Sequence, residues 1–247
     1  MSIQKVARPG ASVSNLLESG FAFNYDHLTL VARTVSTLQH RADARPEIEF
    51  GPFHLALPLL GSPMPDVCGA EMCQILAREG ALGILHRFQL IDNQQREFAQ
   101  VYSQVGTGGT AIGAAMGITG DYQERFQALY AAGCRLFCLD TANGAHLQVE
   151  RALSWLRGQV SDVFLIAGNV ASAETFSWLE ERGADAIRVG IAGGSVCETR
   201  TETAVFVPTP YAVAEAASVR RRALIIGDGG VRTPADFCKL LALGADT

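Results

Sequence analysis

The sequence predicts an α/β protein with a (β/α)8 TIM barrel fold, and three observations support this class. Apolar runs alternate with helical patterns along the 247 residues, which is typical of parallel strands joined by crossover helices. Seven such units of similar length can be traced, which favours a barrel. No G-x-G-x-x-G segment follows the first strand, which disfavours an open doubly wound sheet.

A recurring junction marks the ends of several helices. The segments AREGALGILH, AAGCRLFCLD, ERGADAIRVG and ALGADT each contain a glycine at the point where a helical pattern stops, namely Gly80, Gly133, Gly183 and Gly244. Glycine adopts the left-handed conformation that ends a helix without a steric penalty. The runs after the first three junctions are almost continuously apolar, as expected for strands that are buried on both faces.

These junctions and the apolar periodicity define the predicted elements. The predicted strands are His54–Gly61, Leu82–His86, Thr110–Met116, Leu136–Asp140, Val163–Ala167, Ala186–Gly190 and Ala223–Gly227. The predicted helices are Gly69–Arg78, Asn93–Ser103, Tyr122–Ala131, Leu147–Arg157, Ala173–Glu181, Pro210–Val219 and Pro234–Leu243. An eighth strand would begin at Gly244–Thr247, so we expect a barrel that is truncated before its eighth strand; the alternative is a complete fold with a different closure.

The chain is predicted to carry one barrel domain over residues 51–247, after an N-terminal extension over residues 1–50. This extension could plug or skirt the bottom of the barrel. The stretch Val105–Gly109 is short, so we expect no inserted regulatory domain there.

Composition excludes several classes of function. Lys and Arg number 20 against 25 Asp and Glu, a net charge of −5, so we expect neither a nucleic-acid partner nor an anionic membrane partner. No apolar stretch approaches the length of a membrane span. The six cysteines form no C-x-x-C pair, so we expect reduced thiols in a cytoplasmic protein, with all but Cys197 in apolar surroundings.

The loop after the sixth predicted strand, GIAGGSVCETR, carries the strongest candidate for chemistry, because barrel sites lie on the loops that follow the strands. Gly193 and Gly194 can direct backbone amides at an anion, and Ser195 adds a hydroxyl. Cys197 would be a nucleophile if its pKa were lowered, which Arg200 would favour and Glu198 would oppose. The alternative is a glycine loop with an incidental cysteine.

Polar residues also follow the other predicted strands. Gly229 and Gly230 precede the helix that begins at Pro234, so they are candidates for a phosphate cradle, with Asp228 as an acceptor for two ribose hydroxyls; the alternative is a tight turn. The remaining candidates, each of which could instead be a turn, cap or packing residue, are Asp140, Asn143, Asn169, Ser62 and Met64.

The segments GIAGGSVCETR, CLDTANG, IAGNV and IGDGG, together with SPM and GALGILHRF, resemble the IMP dehydrogenase/GMP reductase family in order and spacing. The resemblance implies a (β/α)8 barrel, usually a tetramer, whose loop cysteine attacks C2 of a purine nucleotide while a nicotinamide cofactor exchanges hydride there. The short Gln89–Gly109 region and the motif CLDTANG favour a GMP reductase.

By this resemblance, Cys197 would attack C2 of GMP, Thr199 would help to protonate the leaving ammonia, and NADPH would deliver hydride to give IMP. Ser195, Gly229 and Gly230 would hold the 5′-phosphate, Asp228 the ribose, and Ser62 and Met64 the purine. The residues facing the reacting centre and the nicotinamide would be Asp140, Asn143 and Asn169. A monovalent cation such as K⁺ could bind the backbone carbonyls of Ala192, Gly194 and Cys197.

Several positions depart from the family pattern. Glu198 replaces a threonine, Ala192 replaces a glycine, Pro65 and Asp66 replace Asp-Thr, and Thr203–Thr209 lacks the usual flap motif. Two other functions therefore stay open: an IMP dehydrogenase-like enzyme that converts IMP to XMP with NAD, and a weakly active or inactive nucleotide-binding relative that assembles with other subunits. A flavin-binding barrel is a more remote alternative.

Overall fold

The structure, a computed structural model, describes residues 13–31, 35, 37–105, 112–194 and 197–247. The strands are β1 Ile48–Phe50, β2 Phe53–Leu55, β3 Gly83–Leu85, β4 Ile112–Met116, β5 Leu136–Asp140, β6 Phe164–Val170, β7 Ala186–Val189 and β8 Leu224–Gly227. The helices are α1 Val13–Glu18, α2 Ala70–Arg78, α3 Ile91–Val105, α4 Tyr122–Ala131, α5 Leu147–Gln159, α6 Ala173–Glu181, α7 Thr199–Thr203, α8 Thr209–Val219 and α9 Pro234–Leu243.

The main sheet contains β3 to β8, paired in sequence order, and every pair is parallel. An order without reversal places the crossover helices on one side of a curling sheet, because parallel crossovers share one hand. This sheet is the parallel half-barrel of a (β/α)8 fold, so the predicted fold class is confirmed.

Both edges of this sheet are extended by short backbone pairings. At one edge, Leu82 donates its N–H to the Leu59 carbonyl at 3.0 Å, and Leu60 forms an isolated parallel bridge with Leu82. At the other, the N–H of Asp246 donates to the Ile225 carbonyl at 2.8 Å, and Gly227 donates to the Thr247 carbonyl at 2.9 Å. The pairing predicted to begin at the end of α9 is therefore present at Asp246.

The predicted first strand, His54–Gly61, is wrong as a single element. Phe53–Leu55 is instead the second strand of an antiparallel hairpin with β1, and only the bridge at Leu60 joins the main sheet. Pro58 interrupts the run, and a proline lacks the N–H that an interior ladder requires.

The hairpin β1–β2 closes the bottom of the barrel, which contains the N-terminal ends of the strands. Phe50 is fully buried, and its ring centroid lies 5.1 Å from that of Phe164 at the start of β6. Gly51 has φ +62° at the hairpin turn, where a Cβ would lie 2.1 Å from the Phe164 ring. The segment near residue 50 therefore plugs the barrel bottom.

The helix boundaries agree closely with the sequence predictions. α4, α6 and α9 have the predicted limits, and Gly80, Gly133, Gly183 and Gly244 all have positive φ, as predicted for glycines that end helices. β6 is longer than predicted and reaches Val170. Among the described residues, the structure contains no helix that is long and apolar enough to span a membrane.

Candidate active site

A cavity of about 830 Å³ opens at the carboxyl ends of the strands. It is lined by most of the residues that the sequence singled out: Ser62, Met64, Asp140, Asn169, Ala192, Gly194, Cys197, Thr199, Asp228, Gly229 and Gly230. Ser195 lies outside the described residues. The structure thus brings these lining residues to one rim, because parallel strands place their carboxyl ends together.

A second cavity of about 490 Å³ adjoins the first. Arg87, Asp140, Thr141 and Ala142 line both. Asn143 lines only the second cavity, and its Oδ1 accepts the N–H of Ala145 at 3.1 Å, as in a turn. The structure therefore separates Asn143 from Asn169, and Asp140 lies at the boundary between the cavities.

The loop with Cys197 is closed at its base by an antiparallel bridge between Ile191 and Val207. Cys197 is exposed, and its thiol donates to the Thr199 Oγ1 at 3.2 Å. Arg200, expected to favour the thiolate, instead lies over the Phe206 ring at 4.3 Å. The sulfur and the Thr199 hydroxyl thus form a pair on the cavity wall.

Cys238 is also exposed, so the expectation that all cysteines except Cys197 lie in apolar surroundings is wrong at this position. The other four are buried. Burial raises the pKa of Cys138 to about 12, despite the opposing effect of Arg188. Of the two exposed thiols, only Cys197 lines the cavity.

The two glycine loops touch each other through their backbones. A Cβ added at Gly190 would lie 2.0 Å from the carbonyl oxygen of Asp228, and one at Gly193 would lie 2.5 Å from the Thr209 Oγ1. A Cβ at Gly229 would lie 3.1 Å from the Gly194 nitrogen. These glycines are therefore needed for the contact between the two loops.

Arg188, on β7, is the main site residue that sequence reasoning missed. It is 7% exposed, and its guanidinium donates to the Asp140 Oδ1 at 2.7 Å and to the Asp228 Oδ2 at 2.8 Å. Burial lowers the pKa of Arg188, but Asp228, Cys138 and Asp140 together raise it above its ordinary value. A single cation inside the apolar run AIRV was the available signal, because a buried charge requires partners.

Asp228 is held through one of its two carboxylate oxygens. Its Oδ2 accepts from Arg188 and, at 2.5 Å, from the Asn169 Nδ2, which also donates to the Gly190 carbonyl at 2.8 Å. Its Oδ1 accepts no hydrogen bond from the part of the chain that the structure describes. The predicted acceptance of two ribose hydroxyls by Asp228 would therefore depend mainly on its Oδ1, beside the cavity.

The start of α9 differs from the predicted phosphate cradle. Thr233 is the N-cap, and the Asp236 carboxylate accepts the N–H of Arg232 at 3.3 Å and that of Thr233 at 3.1 Å. These amides are already satisfied by a carboxylate of the same helix. An anion at this rim would therefore depend on Gly229 and Gly230 rather than on the helix start.

Comparison with known proteins agrees with this geometry. The IMP dehydrogenase/GMP reductase domain matches residues 22–247. The chain belongs to the IMP dehydrogenase/GMP reductase family. It is 34% identical to the GMP reductase of Chromobacterium violaceum over 224 residues, which cover 90% of this chain and 68% of that enzyme.

Inosine-5′-monophosphate dehydrogenases match a shorter region. The chain is 40% identical to the inosine-5′-monophosphate dehydrogenase of Streptococcus pyogenes over 137 residues, which cover 55% of this chain and 28% of that enzyme. The corresponding enzyme of Aquifex aeolicus is 42% identical over 136 residues, which cover 54% of this chain and 28% of that enzyme. Family membership makes this chain a relative of oxidoreductases that act on purine nucleotides.

Proposed function

We propose that this protein is a GMP reductase-type oxidoreductase that converts GMP to IMP and ammonia with NADPH. The observation that carries the proposal is the position of Cys197, an exposed thiol paired with Thr199 at 3.2 Å on the wall of a cavity that also holds Asp228, Gly229 and Gly230. Similarity over 90% of the chain to a protein named GMP reductase supports the same assignment.

In the proposed nucleotide site, three sets of residues contact the phosphate, the ribose and the purine. Gly229 and Gly230, with Ser195 as predicted from the sequence, would hold the 5′-phosphate through N–H and O–H donors. The free Oδ1 of Asp228 would accept a ribose hydroxyl, because Arg188 and Asn169 fix the other oxygen. Ser62 and Met64, which also line the cavity, would contact the purine.

The proposed chemistry begins when the Cys197 sulfur, as thiolate, forms a C–S bond to C2 of GMP. The exocyclic amine then takes a proton, with the Thr199 hydroxyl as a proton-transfer partner, and leaves as ammonia. Hydride is added at C2, and the C–S bond breaks to release IMP and the thiolate. GMP, NADPH and two protons thus give IMP, ammonium and NADP⁺. Holding the ribose and phosphate makes the attack effectively intramolecular.

Arg87 and Asp140 would hold the nicotinamide cofactor, with Asn169 at the reacting centre and Asn143 in the second cavity. The Arg87 guanidinium donates to the Asp140 Oδ2 at 3.2 Å and lines both cavities, so a cation lies where an anionic dinucleotide would cross between them. The cofactor, when bound, supplies the hydride. NADPH is the proposed form and NAD the alternative.

A K⁺ ion at the Ala192, Gly194 and Cys197 carbonyls stays a prediction. The Gly194 carbonyl already accepts the Cys197 N–H at 3.3 Å, which leaves it one further lone pair. Comparison of nucleotide affinity in K⁺ and in Na⁺ buffers tests whether these carbonyls select K⁺.

The proposed protein is a cytoplasmic homotetramer, and the catalytic domain of each subunit spans residues 51–247. Light scattering measures the number of subunits.

The decisive experiment measures NADPH consumption and ammonia release with GMP. We expect Cys197→Ala to lower turnover about a thousandfold or more, because the nucleophile is lost. Cys238→Ala is the matched control, since it removes the other exposed thiol, which does not line the cavity. Turnover that persists in Cys197→Ala would overturn the covalent mechanism.

An IMP dehydrogenase-type reaction is the second candidate, favoured by the matches of 40% and 42% identity to dehydrogenases. It predicts NADH formation from IMP and NAD. A third candidate, a nucleotide-binding relative with little activity that assembles with other subunits, rests on the altered flap over Thr203–Thr209. It predicts GMP or IMP binding without turnover under either set of conditions.

A further inference from the structure

The turn Asp228–Gly230 is held from outside the cavity by two hydroxyl groups. Tyr25, in a short 3-10 turn of the N-terminal segment, donates its hydroxyl to the Gly229 carbonyl at 2.9 Å. Thr209, at the start of α8, donates to the Asp228 carbonyl at 3.3 Å. Two successive carbonyl groups of the turn are therefore fixed by side chains that do not line the cavity.

This arrangement determines where the next two amides point. In a trans peptide the N–H is directed away from the preceding carbonyl, so fixing these carbonyls turns the N–H groups of Gly229 and Gly230 to the other side. Neither N–H donates a hydrogen bond to any residue that the structure describes. Both glycines line the cavity, so the turn places two N–H donors without a partner among the described residues beside the cavity, where backbone donors can bind an anion.

Tyr25 is itself rigidly placed. It is 7% exposed, Asn24 Oδ1 accepts its N–H at 2.8 Å, and Lys239 Nζ donates to its carbonyl at 3.0 Å. A Cβ added at Gly230 would lie 2.9 Å from the Tyr25 ring. Burial, reinforced by Asp236, raises the pKa of Tyr25, so its hydroxyl remains a donor throughout the neutral pH range.

We infer that Tyr25 is a positioning residue for a phosphomonoester site, and that its hydrogen bond to the Gly229 carbonyl aims the two glycine amides at the ligand's phosphate. This inference rests on the proposed function, because it assigns the phosphate of the nucleotide to this turn. It adds a residue more than 200 positions away in the sequence whose role is orientation rather than contact with substrate.

The test compares the affinities of GMP and guanosine by calorimetry in wild type and in Tyr25→Phe. The variant keeps the ring and loses the hydroxyl, so we expect GMP binding to weaken about tenfold, the equivalent of one hydrogen bond, while guanosine binding stays within about twofold. Tyr211→Phe is the matched control. Its ring packs on Phe23, and its hydroxyl donates to Glu215 rather than to the turn, so neither affinity is expected to change.

The outcomes separate this inference from the proposed function. An unchanged ratio of GMP to guanosine affinity in Tyr25→Phe, whether both stay constant or both weaken together, overturns the positioning role. A wild type that binds both ligands equally overturns the phosphate site and the inference with it, and absence of turnover alone overturns neither. Thr209→Val, which releases the preceding carbonyl, must show the same selective loss, and it replaces Tyr25→Phe as the test if that variant does not fold.

Discussion

The bottom of the barrel and its mouth, at the carboxyl ends of the strands, each contain a carboxylate that is held by hydrogen bonds, but the surroundings of the two carboxylates differ. At the bottom, Glu180 Oε1 accepts three backbone N–H groups, from Arg221, Arg222 and Ala223, at 2.7 to 3.1 Å. At the mouth, Asp228 is held through one oxygen, and its Oδ1 accepts nothing from the described residues. Each carboxylate is held through one oxygen, but Glu180 is 3% exposed whereas Asp228 lines the cavity. An acidic residue with an unused acceptor beside a cavity is a candidate for binding, whereas one that is buried against backbone N–H groups stabilises the fold.

The same contrast holds for the backbone. The hairpin that includes Phe50 fills the bottom with aromatic rings, whereas at the mouth the N–H groups of Gly229 and Gly230 donate to none of the described residues. Apolar closure at one end lets the other end carry polar groups that have no internal partners, because the folding free energy comes mainly from the buried area.

The largest effect that we expect comes from a substitution of Arg188, the buried residue that joins Asp140 and Asp228 at the mouth. Arg188→Met leaves Asp140 and Asp228 without their shared cation, and breaking a buried ion network costs about 3 to 5 kcal/mol. Urea unfolding measures the loss. Arg188→Met combined with Asp228→Asn should recover part of it, because one unpaired charge is removed. Equal stability of wild type and Arg188→Met would show that the network does not hold the mouth together.

Gly190 tests the contact between the two glycine loops. Its φ is +142°, and a Cβ would lie 2.0 Å from the Asp228 carbonyl, so Gly190→Ala must displace the turn. We expect a loss of about 2 to 3 kcal/mol in unfolding free energy, together with loss of nucleotide binding in calorimetry.

The matched control for Gly190 is Gly158, which is exposed within α5 and has no atom within 4 Å of an added Cβ. Gly158→Ala should leave binding unchanged and stabilise the helix by about 0.5 to 1 kcal/mol. A Gly190→Ala variant that behaves like Gly158→Ala would contradict the proposed close contact between the loops.

Much of the fold was predictable because the signals were local. The glycines that end helices, such as Gly133 and Gly183, and the limits of α4 and α6 follow from residues within one turn of each boundary. The predicted strand at His54–Gly61 failed because its apolar composition suits both a plugging hairpin and a barrel strand. Pro58 was the local signal against a single strand, and the packing of Phe50 and Phe53 on Phe164 identifies the hairpin.

Residues of the candidate site were predictable where their position in a loop after a strand places them at the cavity. They were not predictable where their role depends on partners that are distant in the sequence. Cys197 and Asp228 follow strands, and parallel topology brings them to one rim. Arg188 and Tyr25 were missed because their roles depend on partners 40 to 204 positions away. The apolar run AIRV indicated that Arg188 is buried, but it did not identify those partners. The capped start of α9 could have been predicted, because the segment from Thr233 to Asp236 matches a local capping motif.

The smallest effect, at the bottom of the barrel, depends on pH. The pKa of Glu180 lies below its ordinary value because, although burial raises it, the N–H groups of Arg222, Ala223 and Arg221 lower it further. Its carboxylate therefore stabilises the fold above the ordinary glutamate pKa of about 4.3, and that contribution is lost as the pH falls through the lower folded value. Glu180→Gln should cost about 1 to 2 kcal/mol at neutral pH.

Urea unfolding at pH 7 and at about pH 3.5 checks this prediction, because the stabilities of wild type and Glu180→Gln should converge as wild type loses its charge. Glu181→Gln is the matched control. Its side chain is 56% exposed, and its nearest cation, Arg221, is 3.7 Å away, so we expect a change below about 0.5 kcal/mol at either pH. A Glu180→Gln deficit that stays constant with pH would mean that shape rather than charge holds the bottom closed, and the contrast with Asp228 would then rest on packing alone.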